Sequence, residues 1–474
     1  MRGRTLDRLP AIRDRLDTLL VTHRHTPALD AIKGITMFMI HSRICWFSTA
    51  FVLMLMTATA ALAKTAPNDG AGAYATGKYR NLFAEDGHSS KEIQARIDAA
   101  YAQLFHGDPK TQAIAYSAGS NANGPLMYVN DVHSRDVRSE GMSYGMMIAV
   151  QLDKKADFDA IWNWAKTYMY ISDPKHPSYG YFSWSCKTDG SPNEETPAPD
   201  GEEYFAMSLL FAGNRWPGGQ GIYDYHAEAE KLLTAIRHRA VMTGPTKFGK
   251  RSVGPEVNEE NAMILFIPGI TPHPFTDPSY HLPAFYELWA RWGPVEDRAF
   301  WAHAAEVSRG YFLKSTNPQT GLSPSYSNFD GTPHSTPFPM SAIFGYDAWR
   351  TASNWSVDWS WWHKAPEEQQ LSDRIQKFFA AEGVDKYGPL YTLDGKDWAV
   401  AQGKPHEVHP QGLTATNAVA GLAATDSSRA KLFTEALWNA QLPEGEYRYY
   451  DGMLYLMSFM HASGEFRILG PKSK

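Results

Sequence analysis

Apolar residues recur at three- and four-residue spacing along most of the chain. In SKEIQARIDAAYAQLF, residues 90–105, Ile93, Ile97, Tyr101 and Leu104 share one face, and Ser89 or Ser90 stands where a cap is needed. The same spacing predicts further helices over 139–152, 157–169, 201–213, 224–240, 280–292, 296–313, 342–360, 367–381, 412–423, 427–440 and 451–462. That makes twelve. No Pro/Gly/Ser linker, charge block or short repeat divides the series, so a single domain over 64–474 is expected. An amphipathic helix must bury its apolar stripe against a partner, and twelve in one domain are satisfied by six antiparallel hairpins closed into a ring. The expected fold is therefore all-α, an (α/α)6 toroid. The longer connections at 171–200, 242–279 and 315–340 are rich in Pro and aromatics, and short β-ribbons framing one mouth of the ring are expected in them.

Residues 1–63 read differently. An apolar run at 45–62 follows His41 and Arg43 and ends in Ala61-Leu62-Ala63, the pattern of a secretory signal cleaved before Lys64. Residues 1–36 sit oddly upstream of such a signal, which suggests Met37 or Met39 as the natural start. A membrane anchor is the other reading of the run, and its small-residue end favours cleavage. The expectation is a periplasmic or secreted monomer with no stable membrane association. Without residues 1–63 the formal charge moves from −6 to −10, and only Cys186 remains of the two cysteines, so no intramolecular disulfide is expected.

Composition narrows the partners. With 45 Lys+Arg against 51 Asp+Glu and no basic stripe, a nucleic-acid protein is disfavoured and a neutral substrate fits better. Fifteen Trp are enough to pack a core and still leave some to stack on a ligand.

Two chemistries are set aside. His406-Glu407-Val408-His409 spaces its histidines at i, i+3 before Pro410, not at the i, i+4 of a helical zinc site, and there is no CxxC pair, so neither metal nor cofactor is expected. Gly141-Met142-Ser143-Tyr144-Gly145 has the spacing of a serine nucleophile elbow, but the residues before it, 134–140, are too charged for the buried strand an elbow needs.

Carboxylates in apolar surroundings remain. Glu140 opens an uncharged stretch, where partial desolvation suits a general acid and the helix N-terminus alone would also favour an acidic residue. Asp200 either accepts sugar hydroxyls or caps the helix that follows. Asp347 has Arg350 at helical i+3 spacing, which serves a structural ion pair as well as a general base kept ionised. Paired carboxyls beside aromatic rings are a usual means of hydrolysing a glycosidic bond.

The stretch Asp136-Val137-Arg138-Ser139-Glu140-Gly141-Met142-Ser143-Tyr144-Gly145-Met146-Met147 resembles glycoside hydrolase family 8. The likeness continues through Phe182-Ser183-Trp184, 199–207, 346–350 and Tyr447-Arg448-Tyr449-Tyr450-Asp451-Gly452. The resemblance implies an inverting enzyme with an (α/α)6 fold, Glu140 as general acid, Asp347 as general base, Asp200 binding and distorting the sugar, and Tyr280 holding the attacking water. Trp184, Arg350, His409, Arg138 and Tyr450 are implied as further substrate-binding positions.

Within the family the chain is most similar to enzymes that release xylose from the reducing end of xylo-oligosaccharides. These carry a Leu-His-Pro-like tripeptide that blocks the cleft. Here Val408-His409-Pro410 stands in that place, with Val a departure from the pattern. The alternatives are an endo-acting member on xylan, cellulose or chitosan, and a glycan-binding toroid without catalysis.

Overall fold

The computed structural model describes residues 71–471. The signal-like run, its cleavage point and the candidate start residues all lie outside them. The described residues belong to one compact unit, and all twelve predicted helices are present. We number them α1 (Ser90–His106), α2 (Ser139–Gln151), α3 (Lys155–Trp164), α4 (Pro199–Arg215), α5 (Tyr225–His238), α6 (Pro283–Trp292), α7 (Arg298–Ser315), α8 (Thr351–Trp362), α9 (Glu367–Glu382), α10 (Gln411–Val419), α11 (Ser427–Asn439) and α12 (Arg448–Ala462). Three one-turn helices at 73–76, 82–85 and 398–401 escaped the pattern because four residues are too short to show a period.

Even- and odd-numbered helices differ in kind. In α2, twelve of thirteen residues are buried, and in α4 sixteen of seventeen. In α1 only Ile93, Ile97, Ala100, Tyr101, Leu104 and Phe105 are. A helix buried all round belongs inside and one with a single apolar stripe outside, and the packing follows that rule. The inner helices pass contacts around a circle: α2 against α4, α6 against α8, α8 against α10, α10 against α12, and α12 back against α2. The remaining junction, α4 to α6, is made by side chains, with the rings of Tyr204 and Phe285 5.1 Å apart. The outer helices back them pairwise: α3 on α2, α5 on α4, α7 on α6, α9 on α8, and α11 on α10. The sixth pair joins the two ends of the described chain, α1 on α12, which closes the (α/α)6 toroid. Ser89, not Ser90, caps α1, in a reciprocal capping box with Glu92. The rings of Trp162, Trp164, Trp289, Trp301, Trp355 and Trp361 are fully buried, so core packing takes much of the tryptophan.

Several boundaries differ from the sequence reading. The helix expected over 342–360 starts at Thr351, because Gly345 is extended and Tyr346 has φ 43°. Residues Tyr346–Arg350 form a 3-10 turn instead. The helix expected from 280 starts at Pro283, a residue suited to the first helical position, after a separate 3-10 turn at Pro278–Tyr280. The stretch 165–169 leaves α3 as a π-turn.

Ribbons occur in two of the three expected connections: β4 (Ser185–Cys186) with β5 (Pro192–Glu194), β6 (Met242–Thr246) with β7 (Gly249–Val253), and β8 (Val257–Asn258) with β9 (Met263–Ile264). The third, 315–340, makes only isolated bridges. A hairpin of β1 (Ala115–Asn121) and β2 (Gly124–Val129) was not anticipated, since its exposed Ser, Gly and Asn positions mute the alternation that marks a strand. Cys186 is buried and unpaired.

Candidate active site

The inner helices begin at the same mouth of the ring, and the candidate residues stand at those beginnings. Glu140 is second in α2, Asp200 second in α4, Tyr280 precedes α6, Asp347 and Arg350 precede α8, His409 precedes α10, and Tyr450 is in the first turn of α12. Helix N-termini present unpaired N–H groups and a partial positive charge, an environment that favours carboxylates.

Arg350 occupies the centre. Its guanidinium is buried, and Nη1 donates to Glu140 Oε2 at 3.2 Å, Asp200 Oδ2 at 3.0 Å and Tyr144 Oη at 2.5 Å. Nη2 donates to Asp347 Oδ1 at 3.1 Å and Ser279 Oγ at 3.0 Å. Three carboxylates drawn from residues 140, 200 and 347 thus meet one rigid cationic fork. The Tyr280 ring lies 5.7 Å from the guanidinium carbon. The i, i+3 pair of Asp347 with Arg350 exists as the spacing suggests, carried by a 3-10 turn rather than an α-helix.

The three carboxyls are unequally exposed. Asp347 keeps 34% of its side chain accessible, Glu140 14% and Asp200 6%. Burial pushes the Glu140 carboxyl up to about 7; Arg350 opposes the shift, while Asp200 and Asp347 reinforce it. Burial likewise raises Asp200, with Arg350 opposing. Glu140 therefore keeps its proton to higher pH than an ordinary carboxyl, beside a solvent-accessible Asp347. This suits one group to give a proton and the other to receive one.

Local packing explains how Glu140 is held. Strand β3 (Val137–Arg138) pairs with β4, and Ser139 N donates to Trp184 O at 2.9 Å, which pins the start of α2 to the loop carrying Trp184. Tyr449 Oη donates to Glu140 Oε1 at 3.0 Å. That contact requires glycine at 141, since a Cβ there would lie 2.5 Å from Tyr449 Oη. Glycine at 201 similarly lets α4 approach α2, where a Cβ would fall 2.4 Å from Ser139 Oγ. Ser143, the serine of the elbow-like motif, is fully buried and donates to Glu140 O at 2.9 Å within its own helix. Its glycines serve packing.

Several expectations are refined here. Asp200 does not cap α4: the helix starts two residues earlier than expected, at Pro199, the N-cap is Ala198, and the Asp200 side chain turns to Arg350. Arg138 is paired with Asp131 at 2.9 Å and Asp136 at 3.1 Å and stands 6.0 Å from the half-buried Trp184 ring; it makes no hydrogen bond to Glu140 among the described contacts. Tyr450 Oη donates to Tyr346 O at 3.2 Å, bracing the residue before Asp347, and its ring lies 6.0 Å from Trp349.

His409 departs furthest. Its ring stacks on Tyr387 at 3.7 Å, Nε2 faces Val384 O at 3.1 Å, and Nδ1 faces Thr414 Oγ1 at 2.9 Å. Nδ1 also lies 3.3 Å from the Pro410 carbonyl, and since a carbonyl only accepts, either ring nitrogen finds an acceptor for its proton within the chain. Both nitrogens are engaged inside the chain, and the imidazole implied as a substrate-binding group packs the turn before α10.

Sequence reasoning passed over Tyr144, Tyr449, Ser279 and Asp277. Asp277 is fully buried, accepts from Ser279 N at 2.7 Å, and has its carboxyl raised by burial and by Asp347. Tyr144 and Tyr449 lay within the quoted motifs, but a tyrosine in an apolar helix carries no sign of which hydroxyl reaches a carboxylate.

Residues 122–464 match the family model for glycosyl hydrolases family 8. The chain belongs to glycoside hydrolase family 8. It is 45% identical to a reducing-end xylose-releasing exo-oligoxylanase of Paenibacillus barcinonensis, over 84% of this chain and 99% of that protein. To a reducing end xylose-releasing exo-oligoxylanase of Halalkalibacterium halodurans it is 42% identical, over 85% of this chain and 97% of that one. Among solved structures, a xylohexaose complex of a catalytic mutant of a family 8 xylanase from Teredinibacter turnerae superposes with a TM-score of 0.81 at 53% identity, covering 84% of this chain and all of that one. The family 8 chain is thus a glycosidase whose ring mouth carries the carboxylate cluster.

Proposed function

We propose that this family 8 chain is an inverting glycosidase that removes one xylose from the reducing end of xylo-oligosaccharides. The observation that carries the proposal is the single Arg350 guanidinium shared by Glu140, Asp200 and Asp347, with Glu140 raised to about 7 among them. In the proposed step Glu140 gives its proton to the leaving glycosidic oxygen as the bond from that oxygen to the anomeric carbon breaks. A water on the opposite face forms the new bond to that carbon and passes its proton to Asp347, so the configuration inverts. Asp200, bound to Arg350, accepts hydroxyls of the sugar and favours its distortion, and the Tyr280 phenol holds the water. Solvent then returns a proton to Glu140 and takes one from Asp347. A glycan-binding toroid without catalysis would have no use for this unequal pair.

Two findings favour a second reading, internal cleavage: the His409 nitrogens are already engaged, and the Teredinibacter xylanase holds a xylohexaose. Xylohexaose labelled at its reducing end separates the two. Labelled xylose as the first product is expected, and mixed internal fragments from the outset would establish the endo-acting reading. Because His409 lies in packing contacts, His409→Ala is expected to lower stability by about 1–3 kcal/mol without moving the point of cleavage. A rise in internal fragments from that variant would return the imidazole to the sugar.

We also infer export as a soluble monomer to the periplasm or medium, supported by the apolar run at 45–62 and its Ala-Leu-Ala end. A protein beginning at Lys64 is expected to be soluble and fully active, and mass spectrometry of the exported chain should find Lys64 first. Retention of the apolar run would indicate anchoring instead.

A further inference from the structure

Behind the carboxylate cluster lies a buried acid that the proposed reaction does not use. Glu203 follows Asp200 by three residues and shares its face of α4. It is wholly buried, its Oε1 is 2.6 Å from Tyr286 Oη, and its Oε2 meets no partner among the described residues. Tyr286 Oη also lies 3.1 Å from the backbone oxygen of Tyr280.

A phenol has one proton, and a backbone carbonyl has none to give. If the Tyr286 proton goes to an ionised Glu203, the Tyr280 carbonyl faces a bare oxygen at hydrogen-bond distance and a carboxylate is left buried without a cation. If Glu203 carries its own proton, the acid donates to Tyr286 and Tyr286 donates to Tyr280 O. Both short contacts then become hydrogen bonds and no uncompensated charge remains.

The surroundings favour the second arrangement. The Tyr286 ring is packed 5.3 Å from both Trp289 and Trp301. Burial drives the Glu203 carboxyl far above the carboxylate range, Asp200 and Glu202 push the same way, and only the more distant Arg350 and the Tyr286 hydroxyl oppose. Glu256, itself raised by burial and by Glu202 and Glu203, adds no positive charge.

The run of hydrogen bonds from Glu203 through Tyr286 ends at the Tyr280 carbonyl. Its turn is pinned by Asp277, by Asn354 Nδ2 donating to Ser279 O at 2.7 Å, and by Arg350 at Ser279 Oγ, and Tyr286 fixes the last carbonyl. Burial raises the Tyr280 phenol, Asp200, Asp347 and Asp277 push the same way and Arg350 opposes, which keeps it a neutral donor.

We propose that Glu203 is a neutral carboxylic acid that, through Tyr286, fixes the Tyr280 backbone and so sets the Tyr280 phenol at the attacking water. This rests on the reading of Tyr280 as the group that holds the water. Glu203 and Tyr286 are positioning residues and touch no substrate.

The test uses the full chain acting on xylotriose, with unfolding midpoints measured for every variant. Tyr286→Phe removes both bonds and is expected to lower kcat about tenfold with KM within about twofold, because a misplaced water costs rate rather than sugar affinity. Glu203→Leu should lower kcat about fivefold, and Glu203→Gln, whose amide donates to Tyr286 as the acid would, should restore at least about half of the wild-type kcat. The infrared difference between wild type and Glu203→Gln at pH 7 should contain the carbonyl band of one un-ionised carboxylic acid, a readout that needs no active enzyme. A Glu203→Gln protein no better than Glu203→Leu, or the absence of that band, would show an ionised Glu203 and overturn the proposal. Full turnover in Tyr280→Phe would overturn the positioning role together with the reading of Tyr280, while the band would still report the proton.

Discussion

Glu140→Gln is expected to reduce turnover on xylotriose at least about a hundredfold while leaving the unfolding midpoint unchanged or slightly higher. The amide keeps the shape and neutral charge of the protonated acid and loses only the transferable proton. Asp347→Asn should cost as much, because the attacking water then has no carboxylate to take its proton. The pH profile gives a sharper test. The Glu140 carboxyl is raised to about 7, so the fraction able to donate is nearly complete at pH 5 and falls as pH rises through 7. The basic limb of kcat/KM should therefore bend near 7 in the wild type. Removing the Asp347 charge, which helps raise Glu140, should move the residual limb of Asp347→Asn to lower pH. Proton NMR of the first product should show inversion at the anomeric carbon. Retained configuration, or a Glu140→Gln protein with near wild-type turnover, would remove both assignments.

The second large effect is expected at Arg350. Its side chain is 5% exposed and joins three carboxylates and two hydroxyls. Arg350→Met leaves Glu140 and Asp200 buried beside each other without a cation, a loss expected to cost about 3–5 kcal/mol of stability at pH 8. The sign follows from the carboxyls. The guanidinium stabilises their ionised forms, so its contribution is present above their folded-state pKa values and is lost as pH falls through them. Denaturant unfolding should thus show the gap between variant and wild type narrowing from pH 8 to pH 5. Arg350 also holds Glu140 and Asp200 down against burial, so in its absence both titrate higher and the surviving activity should have its basic limb above that of the wild type. A variant as stable as wild type at pH 8 would mean that the cluster is neutral without its arginine.

The period of the apolar residues was enough to place twelve helices and to call for a closed ring, because burying a stripe on each helix is a local demand that a sequence must meet residue by residue. The i, i+3 spacing of Asp347 and Arg350 was legible for a related reason, since a single helical turn converts that spacing into contact, whereas the role of Glu140 was implied by the resemblance of its motif to family 8. What the sequence left open was settled by distance in space. Asp200 read equally well as a cap until α4 was seen to begin at Pro199 and the carboxylate to meet an arginine 150 residues away. The break in the helix expected at 342–360 comes from an extended Gly345 and a left-handed Tyr346, which nearest-neighbour propensity does not reveal. Tyr449 reaches Glu140 across 309 residues, and Tyr286 reaches Glu203 across 83. His409 turned inward because Tyr387, Val384 and Thr414 present a ring, a carbonyl and a hydroxyl that only the folded chain brings together. Periodicity records which face of an element is buried; the partner it is buried against, and hence the charge and protonation of each carboxyl, is decided by the closure of the ring.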